Sequence, residues 1–196
     1  MKRNLLLWLV LLSGCGHAMA QSVSIPVEVS VDRMEQLKLF SKEKGYNTRY
    51  AIFIDMSIHS GKNRMFAVDL HSNAVIYKSL VSHGMGGDST PKTPVFSNVV
   101  GSKQSSLGKY RIGIKSYSRW GVHYHYKLHG LESTNSNAYR RNIVLHSYAC
   151  NPDHEIYPEH LTCYSEGCPM VSNTDLTWLH ENILRDNTNV VMWIYQ

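Results

Sequence analysis

Past its first twenty residues this chain has no apolar run long enough to cross a bilayer as a helix. It also lacks an internal repeat and a low-complexity tract, which excludes stacked-repeat architectures and compositionally disordered ones. Charge is sparse: 18% of residues are Asp, Glu, Lys or Arg, with no block of one sign. The formal net charge of +5 falls to +3 once Lys2 and Arg3 are set aside. Such mild, dispersed basicity favours anionic envelope polymers slightly and gives no electrostatic footprint for nucleic acid, so no nucleic-acid partner is expected. Cysteine is scarce as well, with four in 196 residues.

What is present begins at the N-terminus. Lys2 and Arg3 precede the apolar run Leu5 to Leu12, and Ala18-Met19-Ala20 is an A-x-A cleavage site. This reads as a secretory signal peptide over residues 1–20, too short to span a membrane stably. Leu12-Ser13-Gly14-Cys15 supports a second reading, a lipoprotein processing box that would leave a lipid anchor at Cys15. On either reading the protein leaves the cytoplasm and is secreted, periplasmic or held in the cell envelope. The remaining residues, about 176, suffice for one domain with its own core. Residues 21–49 read as an N-terminal strand and helix, residues 50–196 as the main domain, and a monomer is expected.

The pattern along the chain is β-rich with two helices. Asp32 can cap a helix with Glu35 three residues on, Val31, Met34, Leu37 and Phe40 supply an apolar stripe, and Gly45 stops it. Strands are predicted at Tyr50–Met56, Met65–Leu70, Ala74–Leu80, Lys109–Lys115, Val122–His129, Asn142–His146 and Val190–Tyr195. Residues 82–108 are rich in glycine and serine and read as a long irregular loop lining a groove. Ser172 with Asp175 caps a second helix running to about Leu184 on Leu176, Leu179 and Ile183.

One constellation carries chemistry. Ser165-Glu166-Gly167-Cys168-Pro169 places a cysteine in a glycine-containing turn, and His146 ends the apolar strand Asn142 to His146. A free thiol titrates near ~8.5 and needs a basic or cationic partner to react, so a histidine on a rigid strand is a fitting base. Gly167 allows close backbone approach, and its amide with that of Cys168 could face an oxyanion. Pro169 fixes the chain after the thiol and donates no hydrogen bond. The bland readings are a buried structural cysteine and a histidine packed at a strand end. Ser147 is either the residue whose carbonyl orients His146 or a solvated strand-end serine. His83, in Ser82-His83-Gly84, is either a groove residue that holds substrate or an exposed turn histidine. His123 and His125 alternate with Tyr124 and Tyr126, an H-x-H pattern that can bind zinc on a strand. With no third ligand in view, no metal site is expected. Arg140 and Arg141 read as a cap on a solvent-facing turn.

These residues sit in a series of blocks: Val81-Ser82-His83-Gly84-Met85-Gly86-Gly87, Phe96-Ser97-Asn98, Ser105 to Tyr110, Leu128-His129-Gly130-Leu131-Glu132, Asn142 to Ser147, and the cysteine motif. In that order they resemble an L,D-transpeptidase catalytic domain of the YkuD-like superfamily, in the branch whose cysteine lies in S-x-G-C-P. The resemblance runs from about Tyr50 to Gln196. It implies a mainly β fold, a mixed β-sandwich with a few helices, one of them packed after the catalytic cysteine. It implies Cys168 as nucleophile, His146 as base, a Ser147 carbonyl behind the histidine, and a Gly167–Cys168 oxyanion hole. It implies peptidoglycan stem peptides as partners, a Cys168 thioester formed with loss of D-alanine, transfer to an amine to give a 3-3 cross-link, and no cofactor. A carboxypeptidase or other murein hydrolase on the same scaffold is the nearer alternative, and a non-catalytic murein-binding module the farther one. Tyr164, Ser165, Glu166 and His83 would contact the substrate. Three differences stand out. The wider superfamily has histidine where this chain has Glu166, and its His-to-Cys separation is shorter than the 22 positions here. The branch commonly carries arginine where this chain has Tyr164, and an arginine could hold a substrate carboxylate bidentately.

With Cys168 as nucleophile, Cys150 and Cys163 form the natural disulfide in an oxidising compartment. Closing a loop of about 14 residues would stabilise by ~3 kcal/mol on the chain-entropy argument. Three free thiols and a Cys163–Cys168 redox switch are the alternatives.

Overall fold

The computed structural model describes residues 28–196, so the signal peptide, the Cys15 processing box and any strand within 21–27 lie outside the described residues. Helix α1 spans Val31–Lys44. Its N-cap is Ser30, whose side chain accepts from the Arg33 N–H, and not Asp32, which lies in the first turn. The correction has a simple cause: a serine two residues upstream satisfies an orphan amide and leaves Asp32 to favour the helix dipole. Gly45 ends the helix at φ 70, donating to the Lys42 and Ser41 carbonyls. Met34 and Leu37 are buried, whereas Val31 faces solvent.

Eight strands follow: β1 Tyr50–Asp55, β2 Met65–Asp69, β3 Ala74–Ser79, β4 Gly108–Tyr117, β5 Tyr124–Gly130, β6 Val144–Ser147, β7 Met170–Val171 and β8 Val191–Tyr195. They form one sheet in the order β3-β2-β1-β8-β4-β5-β6-β7. Its two ends approach each other, because Ser82, just past β3, bridges antiparallel to Met170 of β7. The sheet is therefore curled nearly into a barrel, and the opposed layers expected of a sandwich are parts of one continuous sheet.

Period-2 alternation sorts the side chains into two cores. Ile52 and Ile54 of β1 join Met192 and Ile194 of β8 inside the curl, with Tyr110, Tyr126, Leu128 and Leu145. Ala51, Phe53, Val191 and Tyr195 point the other way and pack with Met34 and Leu37 of α1. Strands β1 and β8 are thus covered on both faces, which explains their unbroken apolar sequence. Helix α2, Asn173–Leu179, starts at a Ser172–Asp175 capping box and continues as a π-helical turn over His180–Leu184. Leu176, Leu179 and Ile183 close the inner core as the sequence predicts. Cys150 and Cys163 are joined in a disulfide with Cα atoms 5.7 Å apart.

Candidate active site

Strand register builds the site. On β5 and β6, His125 lies opposite His146 and Lys127 opposite Val144, so these four residues share one face of the sheet. On its other side β6 runs parallel to β7, and the His146 N–H donates to the Pro169 carbonyl at 3.4 Å. Cys168 is therefore delivered beside β6 by the residues that enter β7. Its Sγ accepts from the Val144 N–H at 3.5 Å and lies 3.9 Å from the Asn142 carbonyl. In this resting arrangement no hydrogen bond joins Sγ to His146.

The imidazole is oriented from behind, with Nδ1 3.3 Å from the Ser147 carbonyl. A carbonyl can only accept, so Nδ1 carries the proton and Nε2 presents a lone pair. Ser147 itself is buried, and its Oγ accepts from the Val122 N–H. Burial lowers the His146 pKa, the Ser147 carbonyl opposes that shift, and His125 adds to it. Burial also dominates at Cys168 and raises the thiol, against the pull of the Val144 N–H, Lys127 and Arg141. Both groups are consequently neutral near neutrality, a thiol beside a histidine with a free lone pair.

The cysteine turn is held from several directions. Ser165 Oγ donates to the Cys168 carbonyl and accepts from the Gly167 N–H at 3.2 Å. Ser165 thus clamps the turn, and the Gly167 amide is engaged within it. The Cys168 amide has no acceptor among the described residues and so is free to donate. Gly167 sits at φ +116, and a Cβ there would lie 2.8 Å from the Gln104 carbonyl and 3.0 Å from an Arg141 nitrogen. Glycine is thus required twice over, by the backbone and by space. Ser105 Oγ ties the loop to this turn, accepting from the Gly84 N–H and donating to the Gly167 carbonyl.

The other predicted contacts separate. His83 is 4% exposed, with Nδ1 2.9 Å from Arg64 and Nε2 3.0 Å from the Thr90 carbonyl. With both ring nitrogens engaged it supports the loop from a buried position, so it is not an exposed turn histidine. Glu166 is exposed and pairs with Lys103 at 2.7 Å, and Tyr164 is exposed. His123 has φ 63 and precedes β5, so it does not share a strand face with His125. Among the described residues no three His, Cys, Asp or Glu side chains gather into a metal-binding group.

Two residues stand differently from the sequence reading, which made Arg141 a cap on a solvent-facing turn and Asn142 the start of the histidine strand. Arg141 turns inward and donates to the Ser97 carbonyl at 2.7 Å, Ser106 Oγ at 3.0 Å, Ser102 Oγ at 3.3 Å and the Gln104 carbonyl. It pins the loop over the cysteine turn. Asn142 takes the left-handed conformation, φ 58, at the entrance to the histidine strand. The available signal was the asparagine, one of the few residues that tolerate this conformation, placed directly after two arginines.

None of the curated proteins matches the chain. Among solved structures, an L,D-transpeptidase from Xylanimonas cellulosilytica is similar at 14% identity and TM-score 0.44, covering 80% of this chain and 68% of its own. An L,D-transpeptidase from Mycobacterium tuberculosis is 13% identical at TM-score 0.45, over 76% of this chain and 58% of its own. The helical cell shape determining protein Pgp2 from Campylobacter jejuni is 13% identical at TM-score 0.48, over 75% of this chain and 47% of its own. The chain thus spans about half the length of Pgp2. The profile of the L,D-transpeptidase catalytic domain matches residues 22–195, nearly the whole sequence, and the chain therefore belongs to the L,D-transpeptidase catalytic domain family.

Proposed function

We propose that this protein is a cysteine acyltransferase of the cell envelope that acts on peptidoglycan stem peptides. The observation that carries the reading is a free thiol, Cys168, in the turn that enters β7, next to the strand β6 that carries a neutral His146 whose Nδ1 is fixed on the Ser147 carbonyl. In the first half-reaction the thiol proton passes to His146 Nε2 as Sγ attacks the carbonyl of the third stem residue. The oxyanion receives the Cys168 N–H. Collapse breaks the bond to the terminal D-alanine, whose amine takes the proton back from His146, leaving a thioester on Cys168. In the second half-reaction an amine of a neighbouring stem attacks the thioester, His146 accepts its proton and returns it to the departing thiolate, and a 3-3 cross-link results.

Protein export by the N-terminal signal, with cleavage after Ala20 or lipidation at Cys15, places this chemistry where the polymer is. The test is product and intact-protein mass spectrometry with a disaccharide-tetrapeptide, beside a Cys168→Ala control. Cross-linked dimers formed with loss of D-alanine, and a thioester adduct absent from the control, are expected. Tripeptide alone would mean that water resolves the thioester and would make the enzyme a carboxypeptidase. Turnover retained by Cys168→Ala would remove the assignment.

A further inference from the structure

The residue before the motif serine is Tyr164, where an arginine could have held a substrate carboxylate, and its ring is exposed and uncharged. If Cys168 attacks the third stem residue, the terminal carboxylate lies one residue beyond the scissile carbonyl. A cation that recognises it must stand within about 7 Å of the thiol, one residue step plus a hydrogen bond.

The cations near Cys168 differ in what they have free. Arg141 already serves four acceptors of the 97–106 loop. Lys103 is paired with Glu166. His125 and His129 are held neutral near neutrality, since burial and neighbouring Lys127 lower both, with Arg111 also acting on His129. Lys127 stands apart. It projects from the face of β5 that carries His125, two register positions along from the His125–His146 pair, opposite the Val144 whose N–H touches Sγ. Its Nζ donates to Asn142 Oδ1, and the carbonyl of the same Asn142 is the group 3.9 Å from Sγ. One residue therefore bridges the ammonium and the nucleophile. Tyr139 supports the ammonium from the side, its ring centroid 4.8 Å away. Among the described residues Lys127 has no carboxylate partner, so two of its three N–H donors remain for a ligand.

We infer that Lys127 is the carboxylate anchor of the donor site, held in place by Asn142 and Tyr139, and that it selects stem peptides ending in a free D-alanine carboxylate. The assignment rests on the acyltransfer reading above and adds its donor specificity. Recognition by a half-buried, preorganised ammonium is a charge-assisted contact, for which discrimination on the order of 10- to 100-fold is expected.

The experiment compares two donors, a tetrapeptide with a free terminal carboxylate and the same peptide with a terminal carboxamide, and follows Cys168 acylation by intact mass. The native protein should acylate faster with the acid by roughly 10- to 100-fold in kcat/KM. Lys127→Met should bring the acid-to-amide ratio close to one, and Lys127→Arg should preserve most of it. The ratio is taken within each variant, so a partly misfolded preparation does not alter it. An unchanged ratio in Lys127→Met would overturn the anchor. An equal loss on both donors would do the same, showing Lys127 to act only on the thiol. Failure of the native protein to acylate with either donor would instead remove the acyltransfer reading and the anchor with it.

Discussion

Arg64 and His83 make a buried pair whose acid response can be calculated. Arg64 is 1% exposed and donates through Nε and an η nitrogen to the Val81 carbonyl, at 3.0 and 2.7 Å. The same η nitrogen lies 2.9 Å from His83 Nδ1, so His83 offers its lone pair to a buried cation. Protonating His83 removes that acceptor and sets two positive charges side by side where little water can screen them. Burial first, and Arg64 second, hold His83 down to about 4, while the Thr90 carbonyl opposes them. Against an ordinary 6.5, this corresponds to about 3 kcal/mol of stability in favour of the neutral ring. Because the folded value is the lower one, that stability is fully present above 6.5 and is lost as the pH falls toward 4. Some 2.5 kcal/mol should be gone near pH ~4.5. The assay is urea unfolding at about pH 7.5 and about pH 4.5 for the native protein and for His83→Asn, whose Oδ1 replaces Nδ1 as the acceptor for Arg64. Other buried histidines act in both proteins and cancel, so the acid loss should be roughly 2.5 kcal/mol smaller in the variant. Equal acid losses would show that His83 does not titrate against Arg64 and would refute the reasoning.

Four further outcomes are expected. Replacing Cys150 and Cys163 by serine should lower Tm by roughly 6–12 °C, from ~3 kcal/mol of loop-closure entropy, as read by calorimetry; an unchanged Tm would show that the bridge does not constrain the chain. Cys168 in the free protein should react slowly with iodoacetamide at neutral pH and faster only in alkaline solution, since burial raises its pKa; rapid labelling at neutrality would reveal a preformed thiolate. Gly84→Ala should cost about 1–3 kcal/mol and most of the acylation rate, because a Cβ there lies 2.6 Å from the Gly167 Cα. Arg141→Met should release the 97–106 loop, and hydrogen exchange should show faster exchange of the Gly86 and Ser97 amides, which bond within that segment.

Much of the fold was legible because its signals are local. Ser172 with Asp175, the apolar stripe of α2, Gly45 after α1 and the strand runs all depend on residues within a few positions of one another. The cysteine motif and the histidine strand were legible for the same reason. What stayed hidden depends on pairing across long separations. His83 reads as a turn histidine until Arg64, nineteen positions earlier, is brought against it. Arg141 reads as a solvent cap until its guanidinium is seen to reach back to residues 35 to 44 positions upstream. Lys127 was silent because a lysine in a strand has no motif; its meaning comes from the register that sets it opposite Val144.

The same contrast explains how the site accommodates a separation of 22 positions between His146 and Cys168. The intervening chain need not position either residue, since each is fixed by neighbours outside it. His146 is aligned by β5 on one side and by the parallel β7 on the other. Cys168 is aligned by the Ser82–Met170 bridge, the Gly84–Ser165 bridge and the Ser105 hydroxyl, all from the loop that follows β3. The segment between them must only start at Ser147 and return at Ser165, and the Cys150–Cys163 bridge cuts the length that is free to wander. Lengthening this segment at its exposed residues, such as Glu155, should therefore leave acylation largely intact. Shortening the loop at Ser102–Ser105, which touches both Arg141 and Gly167, should abolish it. Mass-spectrometric acylation of the two variants separates the cases: if the insertion were as damaging as the deletion, the cysteine would be positioned by its own connection to the histidine and not by the loop after β3.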